Sequence, residues 1–169
     1  MSTFLELVSS RYSVRNYSKQ AIEPELLDIV LEAGRVAPTA CNNQPQRVMV
    51  ISDADGLAKL DKCTPCRFGA PMALLVCYDK AVCWKRSFDG APSGEIDASI
   101  VATHMMLAAH DLGLGTCWVM FFDAAKVVEL FELPDGVVPM ALLPIGYPTE
   151  GSMPSGGHSV RMSLDKMLL

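Results

Sequence analysis

An α+β layered domain is what this sequence predicts, on three observations. Four apolar runs of strand length, "VMVIS", "MALLVCY", "CWVMFF" and "VVPMALLPIGY", are separated by segments of helical period. Half of the 169 residues are apolar and 20% are charged, enough for a well-stocked core. Between the second and third runs lies "EIDASIVATHMMLAAHDL", apolar or small on nearly every side, which reads as a central helix covered by two neighbours.

Taken in chain order, Thr3 with Glu6 makes a capping box for a short first helix to about Val8. An extended connector, "RYSVRNYS" (residues 11–18), follows it. Glu23-Pro24 starts a second helix, with Leu26, Leu27, Ile29, Val30 and Ala33 on its apolar side, and Gly34 and Pro38 end it. "VMVIS" is a buried strand, "DGLAKLDK" a short helix and "MALLVCY" a second buried strand. Residues 80–94 have no clear period and read as a loop. The central helix spans Glu95 to Leu112 and is broken by "GLGT". "CWVMFF" is a third strand, Asp123 caps "AAKVVELFEL", "VVPMALLPIGY" is a fourth strand, and the loop-rich tail ends in a short amphipathic segment. The length fits one domain over residues 1–169, and so apolar a helix implies cover from another subunit.

A net charge of −5, a pI near 5.1 and the lack of a basic run argue against a nucleic-acid partner. The beginning of the chain has no signal-peptide core, and no apolar stretch reaches membrane-spanning length. The six cysteines, three of them in "LVCYD", "AVCW" and "GTCWV", read as buried thiols in a reducing cytoplasm. "CTPC" (Cys63 to Cys66) has redox or half-zinc spacing, but no second pair or histidine cluster completes a metal site, so two thiols in a surface loop is the favoured reading.

In an extended "RYSVRNYS", Arg11, Ser13 and Arg15 share one side, with Arg11 and Arg15 about 13 Å apart. That suits an elongated ligand with an anionic end, although spacing alone favours charged protection of a strand edge. In "APTACNNQPQR", Thr39, Asn42, Asn43 and Gln44 could hydrogen-bond a heterocycle or simply form a turn. "GLGT" could bring backbone close to a ligand at Gly115, while its plainer role is a helix cap at Gly113. His104 and His110, six apart, do not share a helix face as metal ligands. No nucleophile or acid–base pair is visible, so any difficult chemistry belongs to a cofactor.

The ordered motifs "RYSVRNY", "VLEAGRVAPTACNNQPQ", "DASIVATHMMLAAHDLGLGTCW" and "LLPIGYP" together resemble the nitroreductase family of FMN-dependent oxidoreductases, from Arg11 to the C-terminal "RMSLDKML". The resemblance implies a mostly antiparallel central sheet flanked by helices and an intertwined homodimer with FMN at the subunit interface. It implies reduction by NADH or NADPH, then two-electron transfer to a nitroaromatic, quinone or similar small molecule in a ping-pong cycle. Arg11 and Ser13, with Tyr12 between them, take the phosphate-binding positions, Arg15 lies by the flavin's pyrimidine edge, and Arg161 is the late phosphate-binding arginine. Pro38, Thr39, Ala40, Asn42 and Gln44 match the segment that reaches the flavin from the other subunit. Gly115 falls in the flavin-binding stretch, and Met120 and Phe121 stand near the flavin N5, where their bulk would narrow the acceptor pocket. Gln46 stands where the family often has an aromatic residue, and Gly157-His158-Ser159 occupies the place of a second late cation. A flavin-binding or sensing protein with little turnover, or an enzyme with a specialised substrate, are the alternatives.

Overall fold

The computed structural model describes residues 3–169. Its centre is a four-stranded antiparallel sheet in the order β1-β2-β4-β3, built from Gln46–Ile51, Met72–Asp79, Gly115–Thr116 and Val137–Gly146 as β1 to β4. Side chains of β2 alternate between two cores. Leu74, Val76 and Tyr78 face a layer made by α2 (Pro24–Arg35) and α4 (Gly94–Asp111). Ala73, Leu75 and Cys77 face the opposite layer, which holds Leu60 of α3 (Ala54–Asp61) and Val127 of α5 (Ala124–Leu130). The period of two therefore survives in a strand buried on both sides, where hydropathy alone shows an unbroken apolar run.

Local signals start the helices where expected, whereas α2 runs through the buried Gly34 to Arg35 and α5 (Ala124–Leu130) stops short of the end of "AAKVVELFEL". The first helix, α1 (Phe4–Ser10), has its capping box: Glu6 N–H donates to Thr3 Oγ1 at 3.3 Å, and Thr3 N–H to Glu6 Oε2 at 2.7 Å. Pro24 occupies the first position of α2, and the Asp53 and Asp123 carboxylates cap α3 and α5. Gly113, at φ +78°, ends α4 in a Schellman turn, with Leu114 N–H donating to Ala109 O (2.8 Å) and Gly113 N–H to His110 O (3.0 Å). A four-residue helix, α6 (Leu164–Met167), closes the tail.

The third strand precedes "CWVMFF", the run expected to form it. Only Gly115–Thr116 pair continuously, and beyond them Val119 makes one isolated bridge to Leu142. Cys117 and Val119 are buried, whereas Met120 and Phe121 turn out to solvent. The apolar run thus marks a half-buried connector, not a ladder. Buried Cys77, Cys83 and Cys117 agree with the reading of these thiols as core residues, whereas Cys63, expected in a surface loop, is buried too, because the end of α3 carries it into the core beside Leu60. No described helix is long and apolar enough to cross a membrane.

Candidate functional site

Residues 11–18 leave α1 in extended conformation and lie along the free edge of β3. Val14 N–H donates to Thr116 O (2.9 Å), Ser13 bridges Thr116 in parallel register, and Ser18 N–H donates to Tyr147 O (2.8 Å). Val14 and Tyr17 are buried beneath the segment, and the Tyr17 hydroxyl lies 2.8 Å from Val14 O and 3.1 Å from Pro144 O. Burial pushes the Tyr17 phenol far above its ordinary pKa, so it is a neutral anchor.

On the outer side, Arg11, Ser13 and Arg15 line a cavity of ≈ 270 Å³ together with Ser155, His158 and Arg161. Tyr12 lines it too, against the expected alternation. Isolated bridges, unlike a full ladder, leave its side chain free to swing toward the tail. There the Tyr12 hydroxyl donates to Ser152 O (3.1 Å), and the ring meets His158 edge-on at 6.3 Å. His158 Nε2 lies 3.0 Å from Ser9 O, and because a carbonyl only accepts, Nε2 carries the proton.

The charge balance of this cavity is its most informative property. Among the described residues the ion pairs involve Arg35, Arg47, Arg67 and Arg86, so Arg11, Arg15 and Arg161 face no carboxylate. Arg11 Nη1 is buried without a hydrogen-bond partner. Arg15 lies over the Phe68 ring at 6.0 Å, and Arg161 Nη1 donates to Val160 O (2.8 Å). Three uncompensated cations in an acidic chain give this cavity a positive potential, which makes it a candidate site for an anion. Burial, with Arg11 nearby, holds the His110 pKa below its ordinary value, and its Nε2 lies 2.9 Å from Ser10 Oγ. His104 Nδ1 lies 2.8 Å from Ile100 O, so both α4 histidines are engaged locally, and no metal-binding cluster exists among the described residues.

Two further cavities continue from the cations. One of ≈ 270 Å³ shares Arg11 and Ser13 and is lined by Thr103, Leu107 and Trp118. The next, ≈ 280 Å³, shares Trp118 and adds Tyr78, Met120, Phe122 and Met140. The track is cationic at one end and aromatic at the other. Met120 lines its apolar end, while Phe121, 74% exposed, does not. The "CTPC" loop braces this stretch: Thr64 Oγ1 donates to Phe121 O (2.6 Å) and Asp123 N–H to Cys63 O (3.0 Å). The N–H groups of Met120 and Phe121 have no partner among the described residues.

The Pro38–Gln44 segment lies apart from these cavities within one chain. It forms a single 3-10 turn, Ala40–Asn42, with positive φ at Cys41, Asn42 and Gln44. Thr39 Oγ1 accepts from Gln44 N–H (3.1 Å), and Ala40 N–H donates to Asp97 Oδ1 (2.9 Å). Asn42 and Gln44 remain exposed, and Gln44 lines a separate cavity between α2 and β1. Gly115 proves to be a packing position: a Cβ there would meet Val14 Cγ2 at 2.5 Å.

The nitroreductase family model matches residues 8–68 and 64–147. The chain belongs to the nitroreductase family. A crystal structure of a nitroreductase family protein from Clostridium difficile 630 is similar at a TM-score of 0.93 and 41% identity, over 99% of this chain and 98% of that one. A nitroreductase-type protein from Desulfovibrio desulfuricans, determined in complex with FMN, is similar at a TM-score of 0.84 and 29% identity, over 100% and 96% of the two chains. A candidate NADH dehydrogenase/NAD(P)H nitroreductase of Methanothermobacter thermautotrophicus is 33% identical over 156 residues, covering 86% of this chain and 78% of that protein. For a nitroreductase, the sequence reading missed Thr103, Leu107 and Ser155 as cavity-lining residues. On a helix or in a loop, small and aliphatic side chains carry no signal beyond packing.

Proposed function

We propose that this protein is an FMN-dependent NAD(P)H oxidoreductase that works as a homodimer and delivers two electrons to a nitroaromatic, quinone or similar small acceptor. The observation that carries this reading is the buried, unpartnered Arg11 Nη1 at the cationic end of a track whose far end presents Tyr78, Trp118 and Phe122 beside Glu95. An unpaired buried donor is destabilising, and a phosphate oxygen would satisfy it. The residues present therefore fit FMN: a dianionic phosphate at the arginines and an aromatic ring system toward Trp118 and Met120. The FMN-bound relative and the NAD(P)H named for the archaeal relative support the same choice.

When bound, FMN supplies the redox chemistry, taking a hydride equivalent from NAD(P)H and passing two electrons on. Arg11 and Arg161 donate charge-assisted hydrogen bonds to the phosphate, and the Ser13 hydroxyl adds a third donor. Arg15 lines the same cavity as Arg11 and Arg161, so its positive charge would act from the phosphate end of the track and not from the ring's pyrimidine edge. The free N–H groups of Met120 and Phe121 are donors for the ring nitrogen that exchanges hydride. Pro38, Thr39, Ala40, Asn42 and Gln44 reach the ring from the second copy of the chain. Two features support that second copy: an open groove of ≈ 500 Å³ along α4 with Ile96 exposed, and a tail exposing Val160, Met162, Leu164 and Met167.

Yellow purified protein should bleach under anaerobic NAD(P)H and recolour on addition of a nitroaromatic or quinone. Parallel double-reciprocal plots at varied acceptor are expected for the ping-pong cycle, and intersecting lines would overturn it. Colourless protein unable to take up FMN would refute the proposal as a whole.

A further inference from the structure

We infer that Asp97 is the latch that holds the Thr39–Gln44 loop in its flavin-contacting shape, a positioning residue acting through the loop backbone; this rests on the FMN reading above. Asp97 is 1% exposed, and no Lys or Arg among the described residues lies within 4 Å of its carboxylate. A buried carboxylate without a cation must be held by other donors. Two are present. Ser93 Oγ donates to Oδ2 at 2.6 Å, and Ala40 N–H donates to Oδ1 at 2.9 Å. Asp97 also sits in the first turn of α4, where the helix N-terminus favours negative charge.

The environment is built to keep water away. A Cβ on Gly94 would meet the Tyr78 ring at 2.2 Å and Cys83 Sγ at 2.6 Å, so the missing side chain lets the start of α4 close onto both residues. The negative charge of Asp97 is one reason the Cys83 thiol is pushed up, after burial itself. The recipient of the latch is a strained segment. Cys41, Asn42 and Gln44 all have φ near +50°, in the left-handed region that non-glycine residues seldom adopt. Within the loop, Asn42 N–H donates to Thr39 O (3.0 Å), Asn43 N–H to Ala40 O (3.1 Å), Gln44 N–H to Thr39 Oγ1 and Gln44 Nε2 to Asn42 O (3.4 Å). Besides Asp97, its side-chain ties to the rest of the fold are Asn43 Nδ2 to Val82 O (3.0 Å) and Arg47 Nη1 to Gln44 O (3.2 Å), both from exposed side chains. The Ala40 N–H is thus where a buried, rigid helix grips the loop.

The test compares wild type with Asp97→Ala, Asp97→Asn and Ala40→Pro. Proline suits the first position of a helical turn after extended Thr39, and it deletes the N–H donor while leaving Asp97 intact. Each protein is titrated with FMN and with riboflavin, well below its melting temperature, and the visible circular dichroism of bound flavin is recorded. Asp97→Ala and Ala40→Pro should each weaken both flavins about tenfold or more and alter the dichroism. Asp97→Asn, which still offers an oxygen to Ala40 N–H, should restore affinity to within a few fold of wild type. Equal affinity for both flavins in Ala40→Pro and wild type would overturn the latch, whether or not Asp97→Ala folds. So would a loss confined to FMN, which would place the effect at the phosphate. Wild type that binds neither flavin would refute the underlying FMN reading instead.

Discussion

Arg11→Leu should change the stability of the empty protein and its hold on FMN in opposite directions. Leucine keeps much of the apolar stem but removes the guanidinium, whose Nη1 is buried and unpartnered. An unsatisfied buried donor costs about 1–3 kcal/mol, so its removal should stabilise the flavin-free protein by up to that amount. For a chain of this size each kcal/mol shifts the midpoint by about 2–4 °C, so the melting temperature should rise by a few degrees. With FMN the same change deletes charge-assisted hydrogen bonds of about 1.5–3 kcal/mol each. Loss of one or two of them weakens binding by roughly 10- to 10⁴-fold. Riboflavin, which lacks the phosphate, should bind wild type and variant alike. Differential scanning fluorimetry on stripped protein and fluorescence titration with both flavins give the two numbers. A melting temperature that falls, together with FMN affinity within threefold of wild type, would refute the assignment and make Arg11 a structural residue.

Gly115→Ala should destabilise by about 1–3 kcal/mol in chemical denaturation, because the new Cβ would lie 2.5, 2.8 and 3.0 Å from Val14 Cγ2, Cβ and Cγ1. The Cys77 thiol, pushed up by burial from 9.0 to about 12, should resist alkylation in the native state while exposed Cys41 reacts. Between pH 9 and 12 the unfolded Cys77 releases its proton and the folded one keeps it, so stability should fall as pH rises, and Cys77→Ala should flatten that slope in urea melts. His110, held below its usual value of 6.5, is disfavoured as the cation in the fold, so stability should decline as pH falls through that value; in Arg11→Leu its NMR titration midpoint should move up. Met120→Ala, by shortening a side chain that lines the apolar end of the track, should raise kcat/KM for bulky quinones about tenfold and leave small nitroaromatics unchanged.

Where a local signal has one physical meaning, the sequence was enough. The Thr3/Glu6 box, Pro24 at the head of α2 and Gly113 at the end of α4 each satisfy particular backbone groups, and each stands where it was expected. "CWVMFF" failed because an apolar run reports burial, while a strand needs a continuous hydrogen-bonding neighbour; past Thr116, only Val119 finds one. Part of the candidate site was equally legible: Arg11, Ser13, Arg15 and Arg161 do meet in one cavity. Charge spacing could not foretell that the pairing carboxylates would be absent, which is what makes the cavity a candidate anion site and not only a protected edge. Nor could it reveal Asp97, which reads as one more acid in a helix until the fold buries it.

α4 has 18 residues, so its ends are about 27 Å apart. The Asp97-held loop belongs to one end, and Arg11 lies beside Leu107 and His110 toward the other. In the two-fold assembly proposed above, each chain then owns both parts but contributes them to different sites. Two defective chains can therefore repair one another. A preparation of Arg11→Leu and one of Ala40→Pro, mixed in equal amounts and allowed to exchange subunits, would put both defects in one site of each heterodimer and neither in the other. About a quarter of all sites would be whole again. In a genetic cross, two alleles of a single gene would behave like lesions in two separate genes.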